Sequence, residues 1–290
     1  MKRKNWLLVL LILGCLAALY GYRTMVLLKT DNEPPQIEIP QETAEFSVHD
    51  PRSALVRGIT ATDKTDGDVT ASLVVENVRL LDSDGTIRVD YAAFDKSGNV
   101  EKAHRTARYT DYESPRFTLE GPLAYTYGSN FDVLSTVGAV DAVDGDIQHR
   151  VRATTLEESS VAITGTHQIQ FQVTNSLGDT VSYVFPVEIY PADAYNATLE
   201  LTDYILYMKT GESFVASRYL KSFILQGEET NLRAGVPRDF SLKTTGTVDT
   251  SQPGAYSVDL RLTYTQRHDT NPDLDRKYTA YSKLIVVVEG

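Results

Sequence analysis

Two short acidic loops contain the residues of this sequence best suited to chemistry. The first loop reads DKTDGD at positions 63–68, and the second loop reads DAVDGD at positions 141–146. Each places three carboxylates around one glycine, and Ca²⁺ binds six to eight oxygens from carboxylates, carbonyls and water. The loops therefore predict calcium ligands at Asp63, Asp66, Asp68, Asp141, Asp144 and Asp146. The alternative is a tight Asp-Gly turn whose carboxylates accept hydrogen bonds from backbone N–H groups.

Other residue patterns that support catalysis are missing from the sequence. The five histidines are scattered, and no H-E-x-x-H, G-x-S-x-G or P-loop motif occurs. Paired carboxylates can hydrolyse glycosides, but an active site repeated in two turn loops would be unusual. The sequence therefore predicts a protein that is not an enzyme and needs no cofactor, with calcium as the one candidate ion.

Charge is distributed unevenly along the 290 residues. The first 30 residues contain five basic residues and no acidic one, which leaves 23 basic and 39 acidic residues, a net charge of −16, in the rest. An acidic surface repels phosphate backbones, so nucleic acid is excluded as a partner. The single cysteine, Cys15, lies in the apolar N-terminal segment, which excludes disulfides from the rest of the chain.

That apolar segment, residues 6–28, follows three basic residues at positions 2–4. Its first 17 residues would form about 25 Å of helix, close to the ~30 Å hydrocarbon core of a bilayer. The preceding basic residues favour a cytoplasmic N-terminus and an exported body. An uncleaved signal anchor is the favoured interpretation, because the apolar run is longer than the apolar core of about 7–15 residues in an ordinary signal peptide. Cleavage after Ala17 or Ala18 and lipidation of Cys15, in a stretch similar to a bacterial lipobox, stay open.

The remaining chain contains an internal repeat. Three stretches recur at offsets of 78 to 80 residues: DNEPPQIEI at 31–39, the first loop, and GTIRVDYAAFDKSGN at 85–99, which returns as GTHQIQFQVTNSLGD. Collinear repeats with one spacing predict tandem domains. We expect a basic tip and transmembrane anchor at 1–30 and three domains at 31–111, 112–192 and 193–290.

Each repeat has the pattern of β-strands with one buried face. Apolar side chains alternate with other residues after Gly85 and again after Gly165, and Asp-Gly and Ser-Gly-Asn turns separate the strands. Residues 193–290 look like a diverged third copy, because the same alternation follows Gly254 and an apolar strand ends the chain. The spacing of apolar residues over 213–225 predicts a short helix there. The sequence thus predicts an all-β chain of three Ig-like β-sandwiches after one transmembrane helix.

Two features of residues 193–290 invite a functional interpretation. Asp269, Asn271, Asp273 and Asp275 are spaced like EF-hand ligands, but Leu274 stands where that loop needs glycine, so we expect a polar hairpin loop. Five tyrosines predict packing within the domain, or alternatively an exposed stacking platform for a sugar or a protein: Tyr204, Tyr207, Tyr219, Tyr278 and Tyr281.

Taken together, the motifs resemble the tandem bacterial Ig-like domains, of group-three type, of membrane-anchored surface proteins. The resemblance covers nearly all of residues 31–290 and rests on the Pro-Pro-x-Ile start, the Asp-Gly-Asp loops, DKSGN at 95–99 and VDTSQPGAY at 248–256. It implies an Ig-like fold and an extracellular location. The second copy has Asn175 in place of Asp95, so no role that needs this carboxylate is expected there.

The resemblance and the sequence together predict a non-enzymatic protein held in a bacterial cell membrane by a single span. Its N-terminus would be cytoplasmic and its body extracellular, with a distal domain that binds a surface glycan or a protein in adhesion. The alternative is an accessory or regulatory subunit of a membrane-bound envelope machine, which docks through sheet edges. Ig-like modules serve unrelated functions, so the fold does not decide between these two.

Overall fold

The computed structural model describes residues 2–29, 31–40, 43–156, 163–192, 196–268 and 274–290. The fold is all-β apart from one long N-terminal helix and a few short helical turns. The chain forms two compact units, Met1–Tyr112 and Glu113–Gly290. The domain bounds expected from the repeat, at 31–111, 112–192 and 193–290, stay predictions.

The N-terminal helix α1 spans Lys2–Lys29. Its window Leu8–Met25 has a mean hydropathy of 1.7, and no part of that window is buried inside the protein. At 1.5 Å per residue the helix measures about 42 Å, which exceeds the ~30 Å hydrocarbon core of a bilayer. By length and composition, α1 is suited to cross a membrane or to act as a signal sequence.

The first sandwich lies in the unit Met1–Tyr112. Its strands are β1 (Gln36–Glu38), β2 (Ala44–Phe46), β3 (Thr60–Asp63), β4 (Gly67–Asp68), β5 (Val74–Leu80), β6 (Thr86–Phe94) and β7 (Val100–Tyr109). They form two sheets, with the orders β1-β3-β4 and β2-β7-β6-β5. Short 3-10 helices at Arg52–Val56 and Thr70–Ser72 connect them.

The second sandwich belongs to the unit Glu113–Gly290. Its strands are β8 (Arg116–Leu119), β9 (Ala124–Thr126), β10 (Val137–Asp141), β11 (Gly145–Asp146), β12 (Arg152–Thr155), β13 (Gly165–Thr174) and β14 (Thr180–Tyr190). The sheet orders are β11-β10-β8 and β12-β13-β14-β9. A short helix α2 (Val133–Thr136) precedes β10, and a 3-10 helix at Gln148–Arg150 follows β11.

The third sandwich repeats the same order in the same unit. Its strands are β15 (Thr198–Leu201), β16 (Ile205–Lys209), β17 (Leu220–Leu225), β18 (Glu228–Asn231), β19 (Phe240–Thr245), β20 (Gly254–Gln266) and β21 (Arg276–Glu289). The sheets run β15-β17-β18 and β16-β21-β20-β19. In all three sandwiches the second strand pairs in parallel with the last, and the other pairs are antiparallel. Three tandem Ig-like β-sandwiches are therefore confirmed.

The predicted apolar faces form the cores. Ile87, Val89 and Tyr91 on β6 are fully buried, and Phe171 on β13 and Leu260 on β20 occupy matching positions in the other two sandwiches with no exposed surface. Burial of one face of each sheet against the other is the main source of stability in such a sandwich.

The helix predicted over residues 213–225 is wrong. The chain forms a 3-10 helix at Ala216–Tyr219 and then strand β17, which pairs with β15 and β18. Leu220 and Phe223 are each 1% exposed in the core of the third sandwich. Sheet pairing and core burial outweigh the helical spacing of the apolar side chains.

Residues 282–288 of strand β21 are buried on both faces, which explains the continuous apolar run near its end. Leu284 and Val286 belong to the core of the third sandwich. Ile285 and Val287 point the other way and join the core of the second sandwich, which includes Phe117. The second and third sandwiches therefore share apolar packing.

Candidate functional site

The first loop closes the hairpin between β3 and β4. Asp63, the last residue of β3, is buried, with 7% of its surface exposed. Its Oδ1 accepts hydrogen bonds from the backbone N–H groups of Thr65 at 2.7 Å and Asp66 at 2.8 Å. One oxygen of Asp63 thus holds the turn, and the other is left for a different partner.

A further carboxylate, Asp31, meets Asp63 and Asp66. One carboxylate oxygen from each of the three residues lies within 4.8 Å of the other two. Among the described residues, no other group of three Asp, Glu, His or Cys side chains brings its ligand atoms this close. Asp31 precedes β1 and is not one of the ligands predicted from the sequence. Its recurrence as Asp111 in the repeat was the one sequence feature that singled it out.

Two oxygens in this acidic cluster have no hydrogen-bond partner among the described residues. Oδ1 of Asp31 accepts a hydrogen bond from the N–H of Glu33 at 3.0 Å. Oδ2 of Asp31 and Oδ2 of Asp63 are buried and have no partner within the described part of the chain. Buried polar atoms are nearly always paired, so these two carboxylate oxygens need an explanation.

Asn99 fixes Asp31 against the sandwich. Its Nδ2 donates to the carbonyl oxygens of Asp31 at 3.1 Å and Glu33 at 3.2 Å, and to Oδ2 of Asp95 at 2.6 Å. The Asp95 Oδ1 also accepts from the Asn99 N–H at 2.8 Å. The segment before β1 is therefore tied to the turn between β6 and β7.

The third member of the cluster, Asp66, is held by Lys96. Asp66 Oδ2 accepts from the Lys96 N–H at 2.8 Å, and Lys96 Nζ lies 3.3 Å from Asp66 Oδ1. The Lys96 side chain is 79% exposed, against 13% for that of Asp66. An exposed ammonium compensates buried charge only weakly, so the cluster keeps a negative charge.

Asp68 and Asp146 lie apart from any such cluster and cap the turns that follow them. Asp68 Oδ1 accepts from the Thr70 N–H at 2.9 Å, and Asp146 Oδ1 accepts from the Gln148 N–H at 2.9 Å. Hydrogen bonds from the side chain and the backbone of Thr70 lower the pKa of Asp68. These two aspartates behave as the turn alternative describes.

In the second loop, both oxygens of Asp141 have donors. Oδ1 accepts from the N–H groups of Val143 and Asp144, each at 2.9 Å. Oδ2, the counterpart of the unpartnered Asp63 oxygen, accepts from Nδ2 of Asn175 at 3.0 Å.

Both oxygens of Asp144 are also occupied. Oδ1 accepts from the Ser176 hydroxyl at 2.6 Å, and Oδ2 accepts from the Ser176 N–H at 2.6 Å and from Arg150 Nη1 at 2.8 Å. The second loop therefore satisfies its two inner carboxylates with protein donors.

Asp111, which matches Asp31 in the repeat, is used elsewhere. Its carboxylate accepts from the Ser47 hydroxyl at 2.6 Å and the Val48 N–H at 2.8 Å, both within the first unit. These hydrogen bonds, with that of Ser47 the larger effect, lower the pKa of Asp111. Asp111 therefore does not play for the second loop the part that Asp31 plays for the first.

The tyrosines of the third sandwich are packed in place. Tyr204, Tyr219 and Tyr278 are half-buried against its core. Tyr281 stacks on Tyr190 with the ring centroids 4.8 Å apart. These positions agree with the predicted packing of the tyrosines.

Tyr207 reaches into the second sandwich. Its hydroxyl accepts from the Phe117 N–H at 2.7 Å and lies 3.3 Å from the Phe117 carbonyl oxygen, and burial raises the pKa of Tyr207. Arg116 beside it makes a bidentate ion pair with Glu289, at 3.1 and 2.9 Å. Hydrogen bonds and charge thus reinforce the apolar packing of the two sandwiches.

The EF-hand-like stretch lies mostly outside the described residues, which omit 269–273. Of its predicted polar residues, Asp275 accepts a hydrogen bond from the His268 N–H at 2.8 Å. Cys15 lies exposed on α1.

No family model matches the chain, and no curated protein matches it. Among solved structures, the CBM51-2 and INT domains of Clostridium perfringens ZmpB match at 15% identity and a TM-score of 0.22, over 87% of this chain and 44% of that one. Extracellular cadherin domains 1–5 of protocadherin gamma B2 match at 11% identity and a TM-score of 0.19, over 90% and 61%. Mouse cadherin-23 EC22–24 matches at 10% identity and a TM-score of 0.22, over 89% and 99%.

The chain spans less than two thirds of the first two of these structures. At TM-scores near 0.2 the likenesses carry no conclusion about ligand or activity. The fold assignment rests instead on the strand order that the chain itself repeats three times.

Proposed function

We propose that this chain is a non-enzymatic, membrane-anchored protein of the bacterial cell surface, which binds a glycan or a protein outside the cell in adhesion. The observation that carries the proposal is α1, whose 18-residue apolar window is entirely unburied by the rest of the chain. Exposing such an apolar surface to water costs free energy, and contact with lipid removes that cost. Three β-sandwiches then follow the anchor.

Charge supports an exported body. Basic residues occupy positions 2–4, and the chain after residue 30 has a net charge of −16. Positive residues before a span are retained on the cytoplasmic side. The sandwiches would therefore lie outside the membrane, and a signal anchor would keep them attached.

Site-specific labelling of cells tests this orientation. The variant Ser83→Cys, in a Cys15→Ser background, places one thiol on an exposed turn of the first sandwich. We expect a membrane-impermeant maleimide to label this variant on intact bacterial cells, and the matched control with only Cys15 to stay unlabelled. Labelling of Ser83→Cys only after lysis would contradict an extracellular body.

Ligand binding is best tested on the full chain. A fragment of residues 193–290 would expose Ile285 and Val287, which pack in the second sandwich. We expect the detergent-solubilised chain to be retained by a glycan array or by a surface-protein pull-down, and a chain ending at Tyr112 not to be. Retention by neither would contradict adhesion and leave only a spacer role.

One observation favours the alternative, an accessory subunit of an envelope machine. Strand β12 is a sheet edge that pairs only with β13 among the described strands, and all four of its side chains are exposed. Such an edge is able to accept a partner strand through its main chain. A photo-crosslinker at Thr154 would capture an envelope protein in cells if this alternative holds, and nothing specific if it does not.

A further inference from the structure

We propose that the first sandwich binds one Ca²⁺ ion between Asp31, Asp63 and Asp66, and that the second sandwich has lost the equivalent site. The ligand atoms of the three carboxylates already converge within 4.8 Å. No nitrogen or sulfur ligand belongs to this group, so the site offers the hard oxygen donors that calcium prefers.

The strongest indication is the pair of unpartnered oxygens. Asp63 is more than nine-tenths buried, and its Oδ1 is engaged with backbone N–H groups while its Oδ2 has no donor among the described residues. Asp31 shows the same division: its Oδ1 accepts from the Glu33 N–H, and its Oδ2 is buried with no partner in the described part of the chain. A bound cation would interact with both of these oxygens at once. None of the hydrogen-bond donors described around the cluster reaches either oxygen.

Charge balance points to a divalent ion. Three carboxylates meet one nearby ammonium, that of the exposed Lys96. Lys64, the residue after Asp63, pairs instead with Glu33, with 3.4 Å between Lys64 Nζ and Glu33 Oε2. Two negative charges are left, and Ca²⁺ neutralises them without the octahedral geometry and tight hydration that Mg²⁺ requires.

The second loop shows how the chain satisfies the same turn without an ion. The side chain of Asn175 donates a hydrogen bond to Asp141. The residue that matches Asn175 in the first sandwich is Asp95, whose carboxylate has no N–H to donate. Arg150 pairs with Asp144 where the first sandwich has Ser72. Two substitutions thus replace the role that we assign to calcium in the first loop.

A calcium ion would also join the chain start to the sandwich. Asp31 comes two residues after the end of α1, whereas Asp63 and Asp66 belong to the β3–β4 hairpin. Asn99 already holds the Asp31 segment through its carbonyl oxygens. Calcium would add carboxylate ligation to this attachment, directly where the anchor meets the folded body.

The test is thermal unfolding of the full chain in detergent, after removal of metal with EDTA. We expect about 5 mM Ca²⁺, above the ~10⁻⁴–10⁻³ M dissociation constants of extracellular modules, to raise the melting temperature of the wild type. We expect Asp63→Asn and Asp31→Asn to abolish this shift. The matched control Asp146→Asn, in the second loop, should keep it.

A calcium-free melt separates ion binding from a structural role. The Oδ1 of an asparagine accepts the same two backbone hydrogen bonds, and the substitution removes one of three repelling charges. We therefore expect Asp63→Asn to melt no lower than the wild type without calcium. No shift in the wild type, an unchanged shift in both cluster variants, or an equal shift with Mg²⁺ would overturn the proposal.

Discussion

The two acidic loops have nearly the same sequence but opposite ways of satisfying their carboxylates. In the first loop, Asp63 keeps a buried oxygen that has no donor among the residues the structure describes, and Asp31 contributes a second such oxygen. In the second loop, Asn175 and Arg150 supply donors to Asp141 and Asp144. The difference teaches that a repeated motif fixes the turn, whereas residues of the neighbouring hairpin and helical turn decide whether its carboxylates have protein donors.

The second loop also differs from the first in that its sandwich shares a folded unit with the third sandwich. The variant with the largest expected loss of stability tests this shared packing. Ile285→Ala removes a fully buried side chain of β21 that packs in the second sandwich. We expect a loss of about 3 kcal/mol in the free energy of unfolding, with the second and third sandwiches unfolding together and the first unaffected. Chemical denaturation followed by hydrogen exchange measures this, and a loss confined to the third sandwich would contradict shared packing.

The variant Asn175→Asp makes the second loop resemble the first. It keeps the acceptor that binds the Leu177 and Asp179 N–H groups but removes the donor to Asp141. A buried carboxylate oxygen is then left unpaired beside a new negative charge, so we expect a loss of about 2–3 kcal/mol. Urea denaturation at neutral pH measures it, and an unchanged midpoint would show that the Asn175 hydrogen bond does not matter.

A smaller effect is expected for Arg150→Ser, which copies Ser72 of the first sandwich. The ion pair with Asp144 spans 2.8 Å, but the Arg150 side chain is 36% exposed. We expect a loss of about 1 kcal/mol at low salt, and less in 1 M NaCl because salt screens exposed pairs. Since Ser176 still donates to Asp144, no calcium response should appear, and its appearance would contradict the role given to Asn175.

The smallest effect is expected for Asp68→Asn, at a residue that the sequence offers as a calcium ligand. Hydrogen bonds from Thr70 lower the pKa of Asp68, so its ionised form stabilises the fold at every pH above the ordinary pKa of an aspartate. That stabilisation disappears as the pH falls through the lower folded pKa. We expect unchanged calcium binding and a slightly weaker acid dependence, measured by melts from pH 6 to pH 2. Loss of the calcium response would place Asp68 in the site.

The sequence was sufficient for the strand pattern and the tandem organisation, because both depend on local alternation and on the repeat. It failed over residues 213–225, where the helical spacing of apolar residues predicted a helix but the chain forms a short helical turn followed by strand β17. In each sandwich a short helical turn precedes the third strand of that sandwich, which is β3, β10 or β17. In the third sandwich this turn ends at Tyr219. The pairing of β17 with β15 and β18, which local spacing does not reveal, takes the rest of the segment into a sheet.

The candidate site was predicted in part, for a reason of distance along the chain. Asp63 and Asp66 were identified because they lie within one turn, but Asp31 is 32 residues before Asp63 and approaches it only through the pairing of β1 with β3. The Asp95 to Asn175 difference was visible in the sequence. Its consequence was not, because only the fold places Asn175 against Asp141.

The most direct test of this account is calorimetric titration of the metal-free full chain with Ca²⁺, compared with Asp63→Asn. We predict one calcium ion bound per wild-type chain, at the cluster of Asp31, Asp63 and Asp66, and no binding heat in the variant. Two ions per chain would show that both loops bind. Absence of binding at about 5 mM Ca²⁺, or equal binding by the variant, would contradict the account.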